Sequence, residues 1–144
     1  MNVVALERII RHPVERVFAA WLDGATFAEW FLPDPAARIG RVELDARVGG
    51  DFLVEMIVDG RVLPHTGTYR AIEANRSLAF TWKSAETGDA ENLVRVSFEA
   101  RKGSTLLRLR HEGLPGGTSR ERHAAGWANI VASLEPFLSR GTAS

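Results

Sequence analysis

The sequence predicts an α+β fold, a curved antiparallel sheet of about seven strands wrapped around one long C-terminal helix, in the order β-α-α-β6-α. Three observations carry this. From Ile39 to Glu112, turn residues interrupt the chain at short intervals, and apolar and polar residues alternate between them, the pattern of strands with one buried and one wet face. From Thr118 to Leu138, Trp127, Ile130, Val131, Leu134 and Leu138 recur at the spacing of one helical face. No other long apolar stripe exists to cover the sheet, so this helix must do so, and a sheet gripping one helix can leave a cavity between them.

The elements follow in order. Val3 to Arg11 is apolar and rich in branched residues, as a strand is. Pro13 opens a helix at a position where its missing N–H costs nothing, and Val14, Val17, Phe18, Trp21 and Leu22 form its apolar stripe. Asp23-Gly24 stops it. A second short helix carries Phe27, Trp30 and Phe31 and ends before Pro33. Ile39 to Leu44 is a weak strand, Gly49-Gly50 a turn, and Asp51 to Val58 a strand with Phe52, Val54, Met56 and Val58 on one face. Asp59-Gly60 is the strongest hairpin signal in the chain, returning into a strand from Val62 to Ala74, with Pro64 near its start. Asn75-Arg76 turns into Ser77 to Lys83, where Leu78, Phe80 and Trp82 alternate. Ser84 to Ala90 is a polar, mobile hairpin loop. Asn92 to Arg101 and Thr105 to Glu112 form the last hairpin, joined by Lys102-Gly103.

Thr118 and Glu121 are spaced as a capping box at the start of the final helix. Pro136 predicts a kink or an early end of that helix. Gly126 is out of place in a helix interior, and beside Trp127 it predicts the close approach of another backbone.

At 144 residues the chain is one domain, spanning 1–144, large enough for a real core. Eighteen basic residues balance eighteen acidic ones, so no net field favours nucleic acid or an anionic membrane. The absence of cysteine rules out disulfides and thiolate chemistry and fits a reducing, cytoplasmic setting. Glu7, Arg8 and Arg11 interrupt the N-terminal apolar stretch where a signal peptide needs an unbroken one.

The pieces together resemble a known family. Arg8 to Trp21 (RIIRHPVERVFAAW), Glu29-Trp30-Phe31, Val48 to Phe52, Asp59-Gly60, His65 to Trp82 (HTGTYRAIEANRSLAFTW), Thr105 to Leu114 (TLLRLRHEGL) and His123 to Leu134 are similar, in order and spacing, to the AHSA1-like family. That family is named for the C-terminal domain of the activator of Hsp90 ATPase. It lies within the SRPBCC, START-like and Bet v 1-like helix-grip superfamily. The resemblance implies a seven-stranded sheet around the C-terminal helix. The superfamily includes lipid and hormone binders, cyclases, hydrolases and chaperone partners, so the fold by itself does not select a function.

Candidate site residues follow from the inward face. Trp30, Trp82 and Trp127 are the large aromatics placed to line a cavity, with Phe31, Phe80 and Met56 near them in pattern. Tyr69 and His65 share a strand face across Gly67, whose missing side chain leaves room for a ligand or a bulky neighbour. His111 shares a face with Leu107 and Leu109, and His123 lies one helical turn before Trp127. The expected function is binding of a small apolar or amphipathic molecule between sheet and helix, with Tyr69 and His111 orienting it. The alternatives are a protein-interaction module, as a chaperone partner or homodimer, and a cyclase- or hydrolase-type enzyme using His111 or Glu29 as acid or base. The four histidines are scattered without HxH or HExxH spacing, so no metal and no cofactor is expected. Arg108, Arg110, Arg120 and Arg122 read as a solvated face.

Overall fold

A computed structural model describes residues 3–87 and 92–141. Strand β1 (Val4–Ile10) leads into helix α1 (Val14–Ala20) and a 3₁₀ turn at Phe27–Glu29. Six strands follow: β2 (Arg38–Leu44), β3 (Asp51–Val58), β4 (Arg61–Glu73), β5 (Ser77–Trp82), β6 (Asn92–Arg101) and β7 (Ser104–Glu112). Helix α2 (Thr118–Gly141) ends the described chain. The seven strands form one antiparallel sheet in the order β1-β7-β6-β5-β4-β3-β2, so β1 crosses to the far edge beside β7. This is the α+β helix-grip architecture. Among the described residues, no helix is long and apolar enough to cross a membrane.

Register sets which side chains face α2. Val4 pairs with His111, His111 with Val94, Val94 with Phe80, and Phe80 with Tyr69, so one inward row crosses five strands. Against this concave face lie Trp127, Ile130, Val131, Leu134 and Leu138 of α2, each 4% exposed or less. Each such large apolar side chain contributes about 1.5–3 kcal/mol by leaving water. The far end of α2 is held by the segment after β1. Arg16 donates to the Leu138 carbonyl at 3.0 Å, as a basic side chain does at a helix C-terminus, and His12 meets the Ser139 hydroxyl at 3.0 Å.

Asp59 and Gly60 take positive φ values of 52° and 76°, the conformation a tight hairpin requires. The expected second helix is a single 3₁₀ turn, with Trp30 already leaving it. Of the expected Ser84–Ala90 loop, Ala85–Thr87 is a 3₁₀ turn closed by Thr87, whose hydroxyl accepts from the Ser84 amide and donates to the Ser84 carbonyl. Residues 88–90 lie outside the described residues. At the start of α2, the Glu121 amide donates to the Gly117 carbonyl at 3.2 Å, so a backbone bond takes the donor that the capping box assigned to the Thr118 side chain. Helix α2 also runs through Pro136 to Gly141. Pro136 is exposed, so the Ala132 carbonyl that loses its donor sits on the solvent side, where such a loss is tolerated.

Gly67 is a site of true close approach. A Cβ there would collide with the Thr81 carbonyl oxygen and lie 2.5 Å from the Phe52 ring. The room left by this glycine is therefore filled by Phe52, its cross-strand partner, and not by a ligand. Gly67→Ala is expected to cost about 3 kcal/mol, at the upper end for overpacking, because one obstacle is backbone and cannot rotate away. A urea unfolding midpoint unchanged from wild type would contradict this.

Candidate functional site

Apart from His111, the large side chains expected to line one cavity divide into two groups. Trp30, Phe31, Tyr69 and Phe80 are packed core. Trp30 is fully buried, 5.0 Å centroid to centroid from Trp21, and Phe31 stacks on Phe27 at 4.4 Å. The space bordered by Phe31, Tyr69, Phe80, Phe52 and Trp82 is only about 20 Å³, room for a single water at most. Burial and the nearby Asp45 push the Tyr69 phenol up to about 12, so it stays protonated at any ordinary pH.

Met56, Trp82, His123 and Trp127 form the second group and do share a cavity. It holds about 100 Å³ between β3, β4, the end of β5 and the first half of α2. Its apolar wall is Met56, Trp82, Trp127, Ile130 and Pro33, with the Trp82 and Trp127 rings 5.2 Å apart and tilted by 53°. Its polar wall is His65, Glu86, Arg122 and His123. Trp82 borders both this cavity and the 20 Å³ space, so its indole is the partition between them.

Two polar residues of this wall, Glu86 and Arg122, are not among the expected site residues: the sequence places Glu86 in a polar loop and Arg122 on a solvated face, whereas the strand face of His65 already points it to the cavity wall. In the structure, Arg122 Nη1 donates to Glu86 Oε1 at 2.6 Å, and the Ser119 hydroxyl donates to the Glu86 carbonyl at 3.0 Å. These bonds tie the 3₁₀ turn after β5 to the start of α2. A signal for Arg122 was present: Arg122, His123, Gly126, Trp127 and Ile130 form one stripe of α2.

His65 and His123 each commit one nitrogen to a carbonyl. His65 Nδ1 lies 2.9 Å from the Leu63 oxygen, and His123 Nδ1 lies 2.7 Å from the Ser119 oxygen. A carbonyl only accepts, so each Nδ1 carries the proton. Burial lowers the pKa of His65, opposed by the Leu63 carbonyl; repulsion from His123 lowers it further, and Glu86 raises it.

His111 lies deeper, fully buried, with the His123 ring edge-on at 5.1 Å. Its tautomer is set on both sides. Trp127 Nε1–H can only donate, so His111 Nδ1 accepts at 2.9 Å; Nε2 therefore holds the proton and donates to Asn92 Oδ1 at 2.9 Å. The Asn92 amide in turn donates to the Gly113 carbonyl at 3.0 Å. Burial, with His123 adding to it, lowers the His111 pKa to about 3, so the ring is neutral. His111 is a clamp between β6, β7 and α2, with neither nitrogen open to a ligand. Glu29 is exposed and lines a separate outer groove with Asn129 and Pro136. Neither residue faces the 100 Å³ cavity.

Gly126 also lines this cavity, and the nearest atom to a Cβ there would be the Pro33 side chain at 3.5 Å, an ordinary contact. No backbone approaches, contrary to the expectation from sequence. A methyl group at this position would touch Pro33 and clash with nothing. Among the described residues, no group of three or more histidine, acidic or cysteine side chains is placed to hold a metal ion.

Comparison with known proteins agrees with this architecture. A crystal structure of a protein from Chromobacterium violaceum is 25% identical and superposes with a TM-score of 0.86, covering 94% of this chain and 96% of that one. The solution structure of an AHSA1-like protein from Aeromonas hydrophila is 23% identical, with a TM-score of 0.81 over 96% and 93% of the two chains. The crystal structure of an HSP90 activator from Plasmodium falciparum is 23% identical, with a TM-score of 0.76 over 95% and 96%. The last two likenesses show the fold alone. No curated protein matches the chain. Residues 11–139 match the family described as activator of Hsp90 ATPase homolog 1-like protein, and the chain belongs to that family.

Proposed function

We propose that this protein binds a small amphipathic molecule in the cavity between β3–β5 and the first half of α2. The observation that carries this reading is Gly126. A glycine inside a helix costs about 1 kcal/mol against alanine. Here a methyl group would fit without a clash, so the packing gives no reason for the glycine. Gly126 lines the cavity, so a ligand lying against its bare backbone would offset that cost. The surrounding chemistry suits a ligand with an apolar body and a polar end: two indole rings and a thioether on one side, two imidazoles and an ion pair on the other. The free space is below the roughly 150 Å³ that takes a benzene ring. A ligand larger than its head group needs Met56, an adaptable unbranched side chain, to move aside.

The expected result is a separation of stability from binding. Gly126→Ala should raise stability by about 0.5–1 kcal/mol in urea unfolding. Gly126→Leu should fold and yet lose binding of an environment-sensitive apolar dye that wild type takes up at one equivalent. Equal dye binding by all three proteins, or none by wild type, would remove the pocket reading.

A second reading has one observation in its favour. The outer face of the sheet carries a shallow trough of about 690 Å³ bordered by Glu7, Glu73, Arg95, Arg108 and Arg110, a mixed-charge surface of the kind that meets another protein. With the Hsp90 activator named in the family description, this supports an interaction role, with Hsp90 or with a second copy of the chain. Purified Hsp90 that gave no co-sedimentation, with a monomeric mass for this protein, would remove it. No acid/base role is proposed for His111 or Glu29, since the cavity meets neither.

A further inference from the structure

Hydrogen-bonding capacity around the cavity constrains its ligand beyond size and apolarity. With Nδ1–H of His65 and of His123 bound to carbonyls, the other nitrogen of each ring accepts wherever that ring carries a single proton. Glu86 adds a carboxylate, already engaged by Arg122 at 2.6 Å. The polar wall is therefore rich in acceptors and needs a ligand that donates. Beside His65, with ring centroids 5.0 Å apart, Trp82 borders the cavity and carries an indole N–H buried without a hydrogen-bond partner among the described residues. A buried donor left unpaired is costly, so this N–H needs a ligand that accepts. Trp21 and Trp30 also hold unpartnered indole N–H groups, but neither borders this cavity.

One small group does both. We propose that the cavity takes a hydroxylated aromatic molecule, a phenol, whose O–H donates to His65 or His123 while its oxygen accepts from Trp82. With Met56 moved aside, the ring would lie along the indoles of Trp82 and Trp127, where aromatic contacts are favourable. Other head groups fit less well. A carboxylate has no proton to give the imidazoles. An ammonium offers nothing to the Trp82 N–H. The Glu86–Arg122 pair presents both signs together and selects neither charge. An ether or plain hydrocarbon leaves the imidazole acceptors unpaired. The inference rests on the pocket reading above and adds the head group to it.

The test is a titration of the intact protein at pH 8 with phenol, anisole, benzoate and benzylamine, read from the indole N–H signals of Trp82 and Trp127 by NMR. Phenol should shift both signals and bind about five- to tenfold tighter than anisole, the worth of one net hydrogen bond. The Trp82 N–H signal should move downfield as it gains an acceptor. At least one of His65→Phe and His123→Phe should narrow the phenol–anisole gap, and a gap unchanged in both would contradict the assignment. If phenol and anisole bind alike, or if benzoate or benzylamine binds tighter than phenol, the head-group assignment is wrong while the pocket stands. If no probe shifts either indole, the pocket reading and this inference fall together.

Discussion

Trp127→Ala is expected to lower folding stability by about 3–5 kcal/mol, the range for removing a large buried aromatic. Two losses combine. The indole is 2% exposed and packs against Phe31 at 5.8 Å and Trp82 at 5.2 Å, so its removal opens a void at the centre of the grip. Its N–H is also the donor to His111 Nδ1, and without it a fully buried acceptor is orphaned. Trp127→Phe separates the terms. It keeps a phenyl ring in place and loses the donor with a smaller part of the packing, so it should cost about 1–3 kcal/mol. Urea unfolding of the two variants checks both values. A Trp127→Phe cost that falls in a His111→Leu background would assign that part to this hydrogen bond. A cost below about 1 kcal/mol for Trp127→Ala would mean that the helix is not held by this clamp.

Acidification should destabilise the protein well above the pH at which its carboxylates protonate. The His111 pKa is lowered from 6.5 to about 3 by burial, so between these values the unfolded chain binds a proton that the folded one refuses. The contribution is fully present above about pH 6.5 and is lost as pH falls toward 3. The slope is about 1.4 kcal/mol per pH unit for one proton, and the total about 3–5 kcal/mol. His65 is shifted in the same direction and adds to the slope. The informative window is pH 6.5 to 5, above the ordinary carboxylate range. Wild type should lose stability across it, and His111→Gln, which cannot take up the proton, should show a shallower loss. Equal slopes for the two proteins would show that His111 is not the group being titrated.

The fold was legible because its signals are local and repeated. Period-2 alternation in Phe52-Val54-Met56, Leu78-Phe80-Trp82 and Val94-Val96-Phe98 marked the inward face, and the Trp127-to-Leu138 stripe marked what covers it. Three end effects were misread, each because a competing partner lay outside the motif. The Gly117 carbonyl took the Glu121 amide, solvent absorbed the cost of Pro136, and the 3₁₀ turn at Phe27–Glu29 was too short to propagate as a helix. The site was legible only in part. His123 and Trp127 share one helix stripe, and Met56 and Trp82 share the inward face, so pattern placed all four beside the cavity. Glu86 and Arg122 meet across 36 positions in the chain, and no local pattern carries that pairing. His111 was expected to face a ligand because its strand phase points inward. The same phase points it equally well at Trp127, and only the tertiary contact separates the two. Gly126 pointed to a neighbouring backbone, and its neighbour is the Pro33 side chain, since a missing side chain does not reveal what occupies its place.

The most direct measurement is native mass spectrometry of gently purified wild-type protein beside Gly126→Leu. A ligand pocket between β3–β5 and α2 requires a reproducible noncovalent mass excess on the wild-type protein, released on denaturation and absent from the variant. A bare polypeptide mass for wild type, unchanged after exposure to small amphipathic molecules, would contradict it.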